Sequence, residues 1–390
     1  MVIIKLALQN LLGAGLRTWL NVIVLSFAFF AIVSLQGLLE GMNRQTAQAM
    51  IDTYYGGGQY WSENYDPYDP LTLDESHQPL PEVLKKIISA GEATPLLMRP
   101  GTIYPEGRIK PIIINGIDPA QKVLAIPSHF LQSTNGNIPA LIGKRMSEST
   151  GLRQGDQVIL QWRDVEGTYD AKEVDIVEVM QTSVQTIDIG QLWIPLQLLQ
   201  EMAGVPDQAT LVVMKSGSID HPSIEGWILR DINFLLTDIK ELVKSKSIGS
   251  TIVYLLLLFL AMLAIFDTQV LSIFRRRKEM GTLMALGMTR GEVIRLFTLE
   301  GSLHGVLAVI LAAAYGIPLL SYFVKVGWTL PTQADSYGFA IGEKLFPAFS
   351  AGLIIGTTLL VLIVTTVVSF IPTRKISTLK PTDALRGKMV

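Results

Sequence analysis

The sequence predicts an integral membrane α-helical protein: four transmembrane helices, with a large mixed α+β extracytoplasmic domain between helices 1 and 2. Three observations carry this. Residues 18–39, 301–324 and 345–373 hold no charged side chain, and 247–274 holds only Asp267. A helix needs about 20 apolar residues to cross a bilayer, and buried helices of soluble enzymes are usually shorter. The chain of 390 residues is 49% hydrophobic and only 17% charged, and its charge is split between two opposite halves.

The first apolar run follows Lys5 and Arg17, as in a signal peptide. It is longer than an ordinary signal core, and no small-x-small cleavage site follows in SLQGLLEGMN, so 18–40 reads as an uncleaved first span. The basic residues then set the orientation. Arg275, Arg276, Arg277, Lys278, Arg290 and Arg295 lie between spans two (247–274) and three (301–324). Arg374, Lys375, Lys380, Arg386 and Lys388 follow span four (345–373). These clusters share the side of Lys5 and Arg17 only if both termini are cytoplasmic. Residues 41–246 and the short loop 325–344 are then external, and 275–300 and 374–390 cytoplasmic. Segment 41–246 holds 26 acids and 17 bases, net −9; the whole chain is −2, so the remainder is +7.

About 200 residues suffice for a domain with its own core. RIKPIIINGIDP (108–119), LRQGDQVILQW (152–162), KEVDIVEV (172–179) and ATLVVMK (209–215) read as strands, and 81–90, 141–151 and 196–203 as helices. The ends continue the spans. GLLEGMNRQTAQAMID runs helically out of span one. DINFLLTDIKELVKSK (231–246) places Ile232, Leu235, Leu236, Ile239, Leu242 and Val243 on one helical face and runs into span two. Two helical stalks are therefore expected where a flexible tether would show Gly, Ser or Pro. YYGGGQYWSENYDPYDP (54–70) reads as an edge strand and polar loop, or as an aromatic contact surface.

Several chemistries are excluded. The chain has no cysteine, hence no disulfide, thiolate metal site or lipidated N-terminal Cys. IPALIGKR is not a phosphate-binding loop, because Ile138 replaces the first Gly and Arg145 the Ser or Thr after Gly143-Lys144. His77, His129, His221 and His304 are scattered singly, so no metal site is expected. Asp267 is the one acid inside a span, eight residues from Arg275, or roughly 12 Å along a helix. It reads as an inter-helix hydrogen bond or a snorkelling pair near the inner interface.

RRRKEMGTLMALGMTRGEVIRLFTLEG (275–301) reads as a helix, a break and a second helix. Span two continues through Leu286, and Gly287 follows as a C′ residue. Thr289 then caps the next helix, with Glu292 completing a capping box. That helix presents Val293, Ile294, Leu296 and Phe297, with Arg290 and Arg295 elsewhere around it. It suits the lipid interface or a groove on a soluble partner.

This stretch resembles the signature of the FtsX-like permease domain of MacB-type and lipoprotein-release ABC transporters, with Glu279, Gly281, Ala285, Gly287 and Glu300 in the matching places. IPTRKISTLKPTDALRG resembles the closing segment of that family, through Pro381, Ala384, Leu385 and Arg386. Residues 1–17 with span one resemble its cytoplasmic amphipathic helix and first span, and NGIDP and ALIGKRMSESTGLRQGDQV its extracytoplasmic domain.

The resemblance implies a non-enzymatic permease subunit that dimerises and works with two copies of an ABC ATPase. This chain begins at the permease, so the ATPase is expected as a separate subunit that binds ATP and Mg. Met288, Thr289, Arg290, Val293 and Ile294 would touch it, with Glu292 in the coupling helix, and Glu279 and Glu300 would brace the elbow. Gly301 with Gly305, Ala312 with Gly316 and Gly352 with Gly356 supply small faces, for internal packing or for the second permease, homo- or heterodimeric. The reading favoured is release of lipoproteins from a bacterial inner membrane, the outer domain being periplasmic. Spans one and two would act as levers, with acyl chains near Phe27, Phe29, Phe30 and Leu257. Efflux through a periplasmic adaptor, regulation of cell-wall hydrolases and a scaffold without ATPase remain alternatives. No nucleic acid is implied; membrane lipid is.

Overall fold

The computed structural model describes residues 7, 15–132, 136–182, 184–217, 222–329 and 344–377. Most of the amphipathic segment 1–17, most of the loop 325–344 and the closing segment with Pro381, Ala384, Leu385 and Arg386 lie outside the described residues. The helices in chain order are α1 (Leu16–Met50), α2 (Glu82–Ser89), α3 (Lys144–Thr150), α4 (Gln185–Asp188), α5 (Leu196–Ala203), α6 (Ile232–Leu235), α7 (Thr237–Arg275), α8 (Arg277–Ala285), α9 (Arg290–Val326) and α10 (Ala351–Ser377). Two compact units result. One holds Met1–Met42, Val243–Trp328 and Leu345–Val390, and the other Asn43–Leu242 with Thr329–Lys344.

In the helical unit, Trp19–Tyr55, Arg290–Val326 and Ala351–Arg374 are long and apolar enough to cross a membrane. Among the described residues these are three such helices, where the charge pattern predicts four. α7 is unbroken over 39 residues and includes the apolar stretch Thr251–Leu260. Val22, Leu25, Phe29 and Val33 of α1 pack with Ala308 and Ala312 of α9 and Val361 and Val368 of α10. Small residues let the backbones approach, which matters because lipid tails supply no hydrophobic drive between helices. A Cβ on Gly305 would sit 2.7 Å from Thr365 Oγ1, and one on Gly316 3.1 Å from Phe30 Cδ2. The hydroxyls on this seam are satisfied locally. Thr365 donates to Leu362 O (2.9 Å), and Ser369 and Thr373 to the carbonyls four residues back (2.7 Å each). Thr357 reaches across to Gln36 Oε1 of α1 (2.9 Å).

The small-residue faces now separate. Gly301, Gly305, Ala312 and Gly316 are buried within the unit, whereas Gly352 and Gly356 are exposed, with open space around them. Two further glycines, Gly37 and Gly41, are absent from the sequence reading. The extended residues Phe346–Phe349 cross α1 there, and Ala348 N–H donates to Gly37 O (2.9 Å). A Cβ on Gly37 would overlap the Phe349 ring, and one on Gly41 the Phe346 carbonyl oxygen.

The other unit is a nine-stranded sheet in the order β11-β1-β10-β3-β4-β8-β5-β7-β6. Its strands are β1 (Gly58–Ser62), β3 (Ala93–Ile103), β4 (Lys110–Ile117), β5 (Ile138–Gly143), β6 (Gln157–Arg163), β7 (Tyr169–Met180), β8 (Gln191–Pro195), β10 (Leu211–Met214) and β11 (Trp227–Asp231). The remaining short strands pair as β2 (Gln78–Pro79) with β9 (Gln208–Ala209) and β12 (Trp328–Thr329) with β13 (Lys344–Leu345). β3 also pairs with β6, so six strands close into a ring. All six fill it: Leu97, Ile103, Ile112, Ile142, Leu160, Ile176 and Ile194 share one core. Neighbouring residues Leu96, Met98, Leu141 and Trp193 enter a second core on the opposite face. This is the period-2 alternation of strands buried on both sides.

β3 is missed by the sequence reading because Pro95, Pro100 and Gly101 speak against a strand. Residues 93–96 of β3 pair with β10 and 101–103 with β6, so Pro100 falls between partners. In that gap Met98 N–H donates to the Thr210 hydroxyl (3.0 Å). Two expectations change. β1 is an inner strand, flanked by β10 and β11, not an edge. The helix expected over 141–151 begins at Lys144, and 141–143 belong to β5.

Gly143 ends β5 against Asp188, which is buried and accepts from Arg145 N–H (3.0 Å) and Arg145 Nη1 (2.9 Å). Burial pushes the Asp188 carboxyl up, against the lowering effect of Arg145. The ALIGKR segment is therefore a structural joint.

Gly41→Ala is expected to destabilise the chain by about 1–3 kcal/mol, because backbone must move to admit the methyl group. Gly352→Ala, in open space on α10, should not lower stability. Thermal unfolding of the full chain in detergent distinguishes the two.

Candidate functional site

The segment between α7 and α9 is an elbow whose turns are set by local chemistry. α7 stops at Arg275, and Arg276 (φ −93°, ψ 14°) leaves the helix. The second helix of the elbow starts afresh at Arg277, so span two does not run on to Leu286 as expected. α8 closes in a Schellman turn: Gly287 N–H donates to Met284 O (3.1 Å) and Met288 N–H to Leu283 O (3.0 Å). Gly287 has φ +103°, where a side chain would be strained. Two residues on, Thr289 and Glu292 form the capping box, with Glu292 Oε2 accepting from Thr289 N–H (2.8 Å). These bonds hold the Glu292 carboxyl below the usual range.

α9 then runs 37 residues without interruption. The short amphipathic helix expected at 288–297 is not a separate piece. It is the first turns of the helix that becomes span three, some 55 Å long at the usual rise.

Arg276 ties the elbow together. Its Nε lies 2.6 Å from Glu279 Oε2, its Nη1 2.6 Å from Glu300 Oε1, and its guanidinium 4.9 Å from the Phe297 ring centre. Glu300 is 7% exposed, and its other oxygen has no partner among the described residues. A carboxylate so buried is tolerable only while its cation is in place. Beneath the pair, Val293, Leu296 and Phe297 pack on Ala7, with Leu283, Met284 and Met288 at the margin.

The side chains expected to face a partner divide accordingly. Ala285, Gly287, Thr289 and Arg290 are exposed, and Met288, Glu292 and Ile294 half-buried. Val293 is fully buried, because the face of α9 that carries it is the one that packs on Ala7. Gly281 is buried and Glu279 exposed. Leu286 was overlooked, yet it is 80% exposed at the tip. Its signal was its place just before the C′ glycine, where the helix face no longer turns inward. A lone exposed leucine is ordinary. Here it precedes Arg290 on a turn fixed at both ends.

The residues named for acyl chains also divide. Phe29 is buried in the bundle core, and Phe30 packs on Tyr315 with ring centres 5.4 Å apart. Both are occupied in helix packing, which removes them from an open face. Phe27 is 67% exposed and Leu257 half-buried. Asp267 is exposed on α7. Among the described residues no acids and histidines gather as a metal site would require.

Two outcomes follow from the elbow. Arg276→Ala should cost about 3 kcal/mol by stranding Glu300, and pairing Arg276→Met with Glu300→Leu should recover most of that loss. Thermal unfolding of the three chains measures both. Thr289→Ala should cost about 1 kcal/mol at neutral pH. Because the Glu292 carboxyl is depressed in the fold, its share of the cap is present above the ordinary carboxylate range. It fades as pH falls through the depressed value. The difference between wild type and Glu292→Gln should shrink on acidification.

Residues 251–381 match the family model described as FtsX-like permease C-terminal. No curated protein matches the chain. Among solved structures, similarity is found to the extracellular domain of the noncanonic ABC-type transporter YknZ from Gram-positive bacteria. The identity is 14%, over 42% of this chain and 84% of that one, with a TM-score of 0.27. The match to the family model takes in the apolar part of α7, the elbow and all of α9 and α10, and residues 251–381 of this membrane protein are thus an FtsX-like permease C-terminal domain.

Proposed function

We propose that the chain is the four-span permease subunit of an ABC transporter in a bacterial inner membrane. Both termini and the elbow face the cytoplasm, and residues 41–246 the outer side. Two permeases act with two copies of a separate ATPase, which binds ATP and Mg. The observation that carries this reading is the elbow tip, Ala285–Gly291. Apart from half-buried Met288 it is exposed, it presents Leu286 and Arg290, and it is held by the Schellman turn on one side and the capping box on the other.

The tip runs into the first turn of α9, so displacement there enters span three directly. α9 packs on α10 and α1, and α1 continues as one helix to Met50. The route to the outer domain therefore favours α1 as the driven lever, with α7 attached at its inner end through Arg276. The cargo is lipoprotein, its acyl chains lying against the open face of α1 at Leu20, Ile23, Val24 and Phe27.

The test is purification of the full chain from its native membrane in mild detergent, with mass spectrometry of what accompanies it. An ABC ATPase and acylated lipoproteins are expected. Leu286→Asp combined with Arg290→Glu should lose the ATPase while the unfolding midpoint stays put. Absence of any ATPase overturns the reading, and a periplasmic adaptor in place of lipoproteins replaces the cargo with an effluxed one.

A further inference from the structure

The aromatic stretch 54–70 lies where the two stalks meet the sheet. α1 ends in a π-helical turn, Ile51–Tyr55, closed by Gly56 N–H on Ile51 O (2.8 Å). Such turns are rare and often mark functional sites. The second stalk is not one helix. Asp231 caps the short α6 by accepting from Phe234 N–H (3.0 Å), and α7 begins at Thr237. Met50 from the first stalk and Leu235 from the second share one apolar cluster with Trp61 and Leu73, and Ile239 packs at its edge.

Polar bonds and ring contacts reinforce this cluster. Gln59 Nε2 donates to Tyr54 O (2.8 Å), and Trp61 Nε1 to Gln59 Oε1 (2.7 Å). Trp61 meets Tyr65 and Phe234 edge to face, with ring centres 5.2 and 6.1 Å apart. The Arg230 guanidinium covers the Phe234 and Trp61 rings at 4.4 and 5.2 Å. Tyr68 then reaches out to the second stalk and donates its hydroxyl proton to Asp238. The far end of the loop is pinned from inside, where buried Arg99 donates to Asp74 O and pairs with its carboxylate. Burial pushes the Tyr54, Tyr55 and Tyr65 hydroxyls up, so they stay neutral hydrogen-bonding groups.

We infer that Tyr54–Asp74 is a clamp that fixes the outer ends of the two stalks to each other and to the sheet, so that displacement of either stalk is passed to the other. The tie is made of this chain alone and holds whether or not an ATPase drives it.

The chain has no cysteine, so spin labels on Gln48→Cys and Glu241→Cys report the distance between the stalks without interference. In the full chain in lipid nanodiscs, a single narrow distance distribution is expected. Tyr68→Phe removes one hydroxyl and should at least double its width. Hydrogen exchange on Tyr68→Phe should quicken about ten-fold over residues 48–55 and 232–240, the effect of losing about 1.4 kcal/mol. Protection of β5 and β8 should be unchanged. An unaltered distance distribution, or faster exchange confined to residues 66–72, overturns the clamp. Should Trp61→Ala, a harsher variant, unfold the domain, Tyr68→Phe still decides.

Discussion

Helices in hydrocarbon gain nothing from hiding apolar side chains from lipid, so they associate only where their surfaces meet closely. The helical unit depends on that constraint. Gly305 admits Thr365, Gly316 admits Phe30, and Gly37 and Gly41 admit the chain entering α10. With α1, α9 and α10 held this way, the backbone carbonyls along the seam absorb the hydroxyls of Thr365, Ser369 and Thr373. α7 is held differently, by Met262 beside the core and by Arg276 just past its C-terminal end.

That difference gives the elbow its character. One side continues into α9 with no joint, while the other meets α7 at a break stabilised by one cation shared between two carboxylates. Glu300 is buried and Glu279 exposed, so the two halves of the pair are unequal. The Glu300 half, removed from water, is the costly one to disturb.

The sheet-containing unit follows from closure of a sheet. β3 is long enough to serve two partners on one edge, β10 and then β6, and this makes the ring. Closure removes edges from the six strands that form it, which leaves β11 as an outer strand of the sheet, beside the second stalk. The aromatic residues of 54–65 gather there because β1 lies directly between β10 and β11.

Much of this was legible in residue order. The uncharged runs, the basic clusters and the capping box at Thr289 and Glu292 rest on local spacing and on solvation, which a linear chain displays directly. The strands at 110–117 and 157–163 showed through their β-branched runs for the same reason. What tertiary structure decided lies between residues far apart. No local pattern assigns Arg276, rather than its three basic neighbours, to Glu300. None turns Val293 inward or withdraws Phe29 from lipid, because the surface that covers each belongs to another segment. β3 was hidden by its prolines, of which Pro100 falls where the partner on one edge changes from β10 to β6. Gly352 and Gly356 read as glycines for internal packing or for a second permease and stand open within this chain, whereas Gly37 and Gly41 are crossed by it. The chemistry of glycine is the same at all four, and only the element passing across each one makes the difference.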